Sequence, residues 1–392
     1  MKRLVFAFVL GAVVGGFAAM VAVTGSAFDS EPTAPATTAE PAIDVKPTRV
    51  APRAAVMIEP DKDDEGLAME LDQAHFDRDW QRVRAVGRVL RGRPASSDGT
   101  IRAGSAGGDV RGSLLQMDYE YRRRVFLLEL GGHDNRATRV MEETDSVQEQ
   151  ERRLTDLFMA PTVAEGDAIV VRDAAFLIGQ LATEGGRQLL VRTLKDPEAA
   201  RADLAAEALG RSGDPQAASA LLSALEGDLD PKLRARAAHA LAYTRDLAAG
   251  GQIAVKLADA AQQDQDVGVR SHALAALARA DLRRCLPARN ALSLLLEDEN
   301  ETPILRQASV AAMRSHRAIA KTLPEELVIS LERVLPKATG PLKLEVTRAL
   351  GEAGRAETVP ILENALLAAS APEEQEELRR AIEAVKKRTQ EQ

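Results

Sequence analysis

Apolar residues recur at three- and four-residue spacing through most of the chain beyond residue 64, which is the pattern of amphipathic helices. In the C-terminal half the pattern itself repeats. If the last aliphatic residue of each repeat is taken as an anchor, successive anchors are 31, 32, 36, 36, 37 and 35 residues apart. The anchors are Ile178, Leu209, Leu241, Leu277, Met313, Leu350 and Val385. Each period has room for two helices, so the sequence predicts a stack of helical hairpins.

Residues typical of helix starts divide each period into two helices. A further amphipathic stretch lies between anchors, as at 217–225 and 291–296. Asp196, Asp214 and Asp230 each precede a proline. An aspartate at the N-cap accepts a backbone N–H, and proline at the first helical position loses no hydrogen bond. These positions therefore predict helix starts.

Helix pairs of this length resemble HEAT repeats, particularly the short bacterial kind, over about residues 165–392. The resemblance rests on Asp-Pro between helices and on an early basic residue followed by Ala-x-x-Ala-Leu-Gly, as in 201–210. It implies an all-α, armadillo-like solenoid with a ladder of ion pairs between neighbouring repeats. The ladder residues it implies are Asp196, Asp230 and Asp266, with Arg234, Arg270, Arg306 and Lys343.

An uncharged stretch of twenty residues, Leu4–Val23, follows Lys2 and Arg3. At about 1.5 Å per residue it matches a hydrocarbon core of about 30 Å. We therefore expect a cytoplasmic stub (1–3) and a single transmembrane anchor (4–24). The two basic residues place the rest of the chain outside the cytoplasm, in the periplasm of a bacterium.

Two alternatives concern the same segment. Gly25 and Ala27 supply a small-x-small site, so a cleaved signal peptide and a secreted product form one alternative. Gly11 and Gly15 form a GxxxG pair, which allows two transmembrane helices to approach closely and gives a homodimer as the other.

The chain between the anchor and the repeats divides into two parts. Residues 25–60 are rich in Pro, Ala and Thr, a composition typical of a disordered, extended linker. Residues 61–160 show helical patterns interrupted by a Gly-, Ser- and Arg-rich stretch, so we expect a helical region with a flexible loop at 92–112. Residues 76–124 contain eleven arginines and six acids. This zone could bind an anionic ligand or surface, but a solvated helix face balanced by acids elsewhere in the fold is the better explanation.

Composition and motifs limit the classes of ligand and reaction that the sequence supports. A net charge of −8 disfavours nucleic acid. The single cysteine, Cys285, excludes an internal disulfide and is expected to be a buried small apolar residue. The sequence contains no GxSxG, P-loop or HExxH motif, and its histidines occupy different repeat registers, so we expect no enzyme, metal site or cofactor and predict no catalytic residue. The histidines are His75, His133, His239, His272 and His316.

These patterns together predict a membrane-tethered scaffold that binds a protein through a HEAT-like solenoid. They do not identify the partner or the binding residues. An anion binder using residues 76–124, and an accessory factor for modification of another protein, like the HEAT-like proteins that resemble phycobilin lyases, are the alternatives.

Overall fold

A computed structural model describes residues 64–77, 79–92, 114–162 and 166–390, all within one compact unit. These residues form nineteen helices and no strand. The predicted all-helical fold is therefore confirmed for this part of the chain. No helix formed by these residues is long and apolar enough to cross a membrane. The predicted stub, the anchor with its GxxxG pair, the linker and residues 93–112 of the predicted loop lie outside the described residues.

The helices are α1 (Asp64–Phe76), α2 (Trp80–Gly92), α3 (Leu114–Gly132), α4 (Arg136–Glu143), α5 (Val147–Phe158), α6 (Asp167–Leu181), α7 (Glu184–Thr193), α8 (Ala199–Arg211), α9 (Pro215–Gly227), α10 (Pro231–Leu241), α11 (Arg245–Ala248), α12 (Gln252–Gln263), α13 (Val267–Leu277), α14 (Leu286–Glu297), α15 (Pro303–Ala320), α16 (Glu325–Val334), α17 (Gly340–Ala353), α18 (Thr358–Ala368) and α19 (Pro372–Gln390).

Seven helical hairpins stack side by side from α5 to α19. The hairpins are α5–α6, α7–α8, α9–α10, α12–α13, α14–α15, α16–α17 and α18–α19. The second helix of each hairpin packs on the second helix of the next, which creates one continuous row of α6, α8, α10, α13, α15, α17 and α19, here called the second-helix row. Because α5 packs on α6 as later first helices pack on their partners, the stack begins at Val147 rather than at residue 165.

Glycines set the close spacing of the second-helix row. A Cβ at Gly179 would lie 2.7 Å from the carbonyl oxygen of Ala208 in the next second helix. Gly210 faces the carbonyl oxygen of Ala240 in the same way, and Gly351 faces the backbone of α19. A larger side chain would push neighbouring helices apart.

Aspartates begin several helices as predicted. Asp214 and Asp230 each accept a 2.9 Å hydrogen bond from the backbone N–H two residues later, and proline follows each of them. Asp196 makes the same bond at 2.8 Å, but α8 begins only at Ala199, after a turn. Its expected role as an N-cap is therefore wrong.

A ladder of ion pairs joins neighbouring hairpins, and three of its four predicted bases take part. The pairs are Arg234–Asp264, Arg270–Glu301 and Lys343–Glu374. The guanidinium of Arg234 binds both carboxylate oxygens of Asp264, at 2.7 and 2.8 Å. Both side chains are largely buried, so this pair is the bidentate, partly desolvated kind that contributes most.

The predicted acids of the ladder are wrong. Asp230 and Asp266 direct their carboxylates to backbone N–H groups at the start of their own helices. For Arg234 and Arg270 the acid that crosses to the previous hairpin lies in the turn just before the cap, as Asp264 does, whereas Glu374 lies in the first turn of α19. The fourth predicted base, Arg306, donates to the carbonyl oxygen of Leu296 at 3.0 Å instead of to an acid.

Candidate protein-binding surface

Helix α3 runs along the second-helix row instead of stacking as part of a hairpin. It contacts α11 and α15. Near its C-terminal end the ring of Phe126 packs edge-on against Phe176 of α6, with the ring centroids 5.1 Å apart. Nearer its N-terminal end, Asp118 accepts a 3.1 Å hydrogen bond from Arg279, which follows α13. The helix therefore spans the row from α6 to α15.

Arg211, at the C-terminal end of α8, packs against the C-terminal half of α3. Its guanidinium carbon lies 5.0 Å from the ring centroid of Phe126 and 4.0 Å from that of Tyr243. Glu207, one turn earlier, accepts a 2.7 Å hydrogen bond from the same guanidinium. A cation held between two aromatic faces is attracted by both, at about 0.5–1 kcal/mol for each exposed contact.

Ion pairs hold the N-terminal half of α3 against the solenoid. Asp118 accepts hydrogen bonds from Arg122, at 2.8 Å, and from Arg279. Glu120 pairs with Arg245 of α11 at 3.6 Å. Burial, and then the nearby charge of Arg122, lower the pKa of Arg279 from its ordinary value. Asp118 therefore balances two guanidinium groups where α3 meets the solenoid.

A small cavity lies between α3 and the second-helix row. Its volume is about 20 Å³, and it is lined by Tyr119, Arg122, Arg123, Phe126, Arg211 and Tyr243. A cavity of this size holds about one water molecule. It has no room for a phosphate or a larger anion, despite its three arginines.

A buried carboxylate joins the N-terminal helices to the first hairpin. Asp173 in α6 is completely buried and accepts hydrogen bonds from Asn135 at 2.6 Å and from the ring of His133 at 2.7 Å. Asn135 also caps α4 through its side-chain oxygen. The loop between α3 and α4 is thereby fixed to the start of the solenoid.

The arginine-rich zone 76–124 is neutralised within the protein wherever its side chains are described. The pairs are Arg82–Glu70, Arg84–Glu142, Arg122–Asp118, Arg123–Glu120 and Arg124–Asp72. The distances are 2.9, 2.8, 2.8 and 3.4 Å for the first four pairs. These arginines hold neighbouring helices together through ion pairs. This agrees with the interpretation that their charge is balanced by acids elsewhere in the fold. The side chain of Arg88 lies outside the described residues.

At the C-terminal end of the second-helix row, a network of charges crosses α15, α17 and α19. Arg314 binds Glu345 and Glu352, each at 2.7 Å. Arg348 binds Glu345 at 3.0 Å and Glu377 at 3.1 Å. Apart from the more buried Glu377, these side chains are about one-third exposed or more. They therefore present alternating charge to solvent on the closely packed row.

The histidines are brought together more than the sequence indicated. The rings of His239 and His272, on the adjacent helices α10 and α13, lie 5.9 Å apart. Burial lowers the pKa of both, and the charge of His239 lowers that of His272 further. His75 instead bonds Gln180 at 2.6 Å. Among the described residues, no group of three or more His, Cys, Asp or Glu could hold a metal ion.

Sequence reasoning missed α3 as part of the binding surface, although a signal was present. The chain has only three tyrosines. Tyr119 and Tyr121 lie on α3, and Tyr243 meets it through Arg211. In a chain so poor in aromatic residues, such clustering indicates a contact that the aliphatic repeats do not make. No periodicity in the sequence shows which helices that contact joins.

Comparison with known proteins supports the fold. Residues 160–242 match the family model for HEAT repeats, which confirms the predicted repeat family. No curated protein matches the sequence. Among solved structures, the chain is similar to an engineered protein at 18% identity, with 82% of this chain and 94% of that chain covered and a TM-score of 0.34. It is also similar to human deoxyhypusine hydroxylase in complex with glycerol, at 18% identity, 63% and 98% coverage and a TM-score of 0.29.

HEAT-repeat solenoids commonly act as scaffolds for protein–protein interaction and are generally not enzymes. Residues 160–242 have this fold, and helical hairpins continue the stack to α19. The two likenesses to solved structures concern the fold alone.

Proposed function

We propose that this protein is a membrane-tethered scaffold that binds a protein partner on the extracytoplasmic side through the C-terminal part of its second-helix row. The observation that carries this proposal is the solvent-facing charge network on α15, α17 and α19. These helices form one continuous surface at the end of the row, and α3 reaches no further than α15 among its substantial contacts.

The chemistry of this surface suits a partner with charges of both signs. Arg314 and Arg348 alternate with Glu345 and Glu352 across neighbouring helices. At about one-third exposure or more, these pairs contribute little stability of their own, because water screens them. They can therefore exchange their internal partners for charges of a bound protein at modest cost.

The tether is proposed from the sequence. Leu4–Val23 is long and apolar enough to span a bilayer after Lys2 and Arg3. Residues 25–60 would then separate the solenoid from the membrane, and a cleaved signal peptide is the alternative. Membrane fractionation followed by alkaline extraction distinguishes them, since an anchor stays with the lipid whereas a cleaved product is released.

In-cell crosslinking of the full-length protein, with mass spectrometry of the linked peptides, tests the partner surface. The decisive variant is Arg314→Glu with Arg348→Glu, which reverses both bases of the network. The matched control is Lys256→Glu with Lys337→Glu, which reverses the same number of charges away from that row; these lysines pair with Glu226 and Glu299.

We expect crosslinks to one or a few envelope proteins, lost in the arginine variant and retained in the lysine control. Equal retention in both variants would show that the partner binds elsewhere on the protein. Crosslinks to an enzyme that modifies another protein would instead support the accessory-factor function.

A further inference from the structure

Helix α3 exposes apolar side chains on the face turned away from the solenoid. Leu114, Met117, Tyr121 and Val125 are 41%, 41%, 38% and 38% exposed. Leu128 continues the same face and is half-buried. With about 100° of rotation per residue, all five fall within about 40° of the direction of Tyr121. The helix is thus apolar toward the solenoid and again toward solvent, where no described element covers it fully.

The apolar stripe formed by Leu114, Met117, Tyr121, Val125 and Leu128 is symmetric about Tyr121. Counted outward from Tyr121, apolar residues lie four and seven positions away on each side, with Met117 and Leu114 before it and Val125 and Leu128 after it. Two antiparallel copies of α3 crossing at Tyr121 would therefore set Met117 against Val125 and Leu114 against Leu128. A contact about a two-fold axis requires such self-complementarity.

The charges beside the stripe are compatible with the same arrangement, although within one chain Asp118 already pairs with Arg122 and Arg279, and Arg124 pairs with Asp72. On one flank lie Asp118 and Arg122, and on the other lie Glu120 and Arg124. In an antiparallel pair each flank faces its own counterpart, so Asp118 of one copy comes within about 3 Å, along the axis, of Arg122 of the other. A parallel pair would place acid near acid and base near base, which is unfavourable.

Helix α1 extends the apolar surface beside α3. Met69 and Phe76 are 57% and 82% exposed and lie on the same face of α1 as Asp72, which pairs with Arg123 and Arg124 of α3. The six exposed side chains of α1 and α3 could bury on the order of 1,000 Å² in total between two copies. That area is near the lower limit of about 1,200 Å² for a stable specific interface.

We propose that the protein forms a homodimer through antiparallel pairing of α3 with α3 of a second copy, about a two-fold axis at Tyr121. The surface is distinct from the network on α15, α17 and α19, so the proposal does not depend on the proposed function. It also differs from a dimer through Gly11 and Gly15, because it places the contact in the folded part of the chain.

Single cysteines introduced into the full-length protein, in a Cys285→Ser background, test the geometry with a short thiol crosslinker. Tyr121→Cys is expected to crosslink to itself. Met117→Cys is expected not to, because two such positions lie about 12 Å apart along an antiparallel pair. A mixture of Met117→Cys and Val125→Cys chains should crosslink again. Self-crosslinking of all three single variants would establish a parallel pair and overturn the proposal.

Charge rescue separates a specific contact from a folding defect. In the Tyr121→Cys chain, Met117→Glu alone and Val125→Lys alone should each lower the crosslinked yield at least fivefold. The double variant should restore it, because Glu at 117 meets Lys at 125 of the other copy. Within one chain these positions are two helical turns apart and do not pair. An unchanged yield in the single variants, or no rescue in the double variant, would refute the antiparallel dimer.

Discussion

Replacement of His316 by leucine should make the protein less sensitive to mild acid. His316 lies in α15, is completely buried, and neither ring nitrogen makes a hydrogen bond. The backbone carbonyls of Ala278 and Ala280 and the carboxylate of Asp281 lie close enough to favour its protonation, whereas Arg283 opposes it. Burial outweighs these effects and lowers the pKa of His316 to about 4.

The sign and size of the effect follow from this pKa. In the unfolded chain histidine titrates near about 6.5, so the unfolded state takes up a proton first as pH falls. The stability that neutral His316 permits is therefore complete above about pH 7 and is lost progressively between about pH 6.5 and pH 4. At 1.36 kcal/mol per pKa unit, the loss reaches roughly 2 kcal/mol at about pH 5 and roughly 3 kcal/mol at about pH 4.

Urea denaturation followed by far-ultraviolet circular dichroism, at about pH 7.5 and about pH 5, measures this difference. We expect His316→Leu to lose roughly 2 kcal/mol less than the wild-type protein between these values. His239→Gln is the matched control. Burial lowers the pKa of His239 as well, but its side chain reaches solvent, so its contribution should be smaller. An identical pH dependence in wild type and His316→Leu would refute the reasoning.

Three further predictions, two of them with a control substitution, test the packing. Gly210→Ala should destabilise the solenoid by about 1–3 kcal/mol, because its Cβ would overlap the backbone of α10, whereas Gly227→Ala meets no atom and should be neutral or stabilising in the same denaturation assay. Arg234→Met should cost about 1–3 kcal/mol through its bidentate ladder pair, and the exposed Arg152→Met less than about 0.5 kcal/mol. Phe126→Ala should release α3, raising amide hydrogen exchange in α3 at least tenfold while exchange in α17 stays unchanged; equal exchange in α3 would contradict its aromatic anchoring.

The hairpins were predictable because their information is local. Apolar spacing identifies the buried face of each helix, and Asp214 and Asp230 mark helix starts through hydrogen bonds within two residues. The ladder was only half predictable. The position of Arg234 in its repeat predicts that it faces the neighbouring hairpin. Whether Asp264 or Asp266 forms the ion pair with it depends on the geometry of a turn.

The sequence by itself determined an all-helical protein with repeated hairpins, because helix periodicity and capping act over a few residues. Only the tertiary structure decided that α3 lies along the second-helix row, that Arg211 bridges Phe126 and Tyr243, and that the arginines of residues 76–124 are paired internally. Those contacts join residues far apart in the chain, and no repeating sequence pattern predicts them. The part of the second-helix row that stays exposed to solvent therefore depends on where α3 packs.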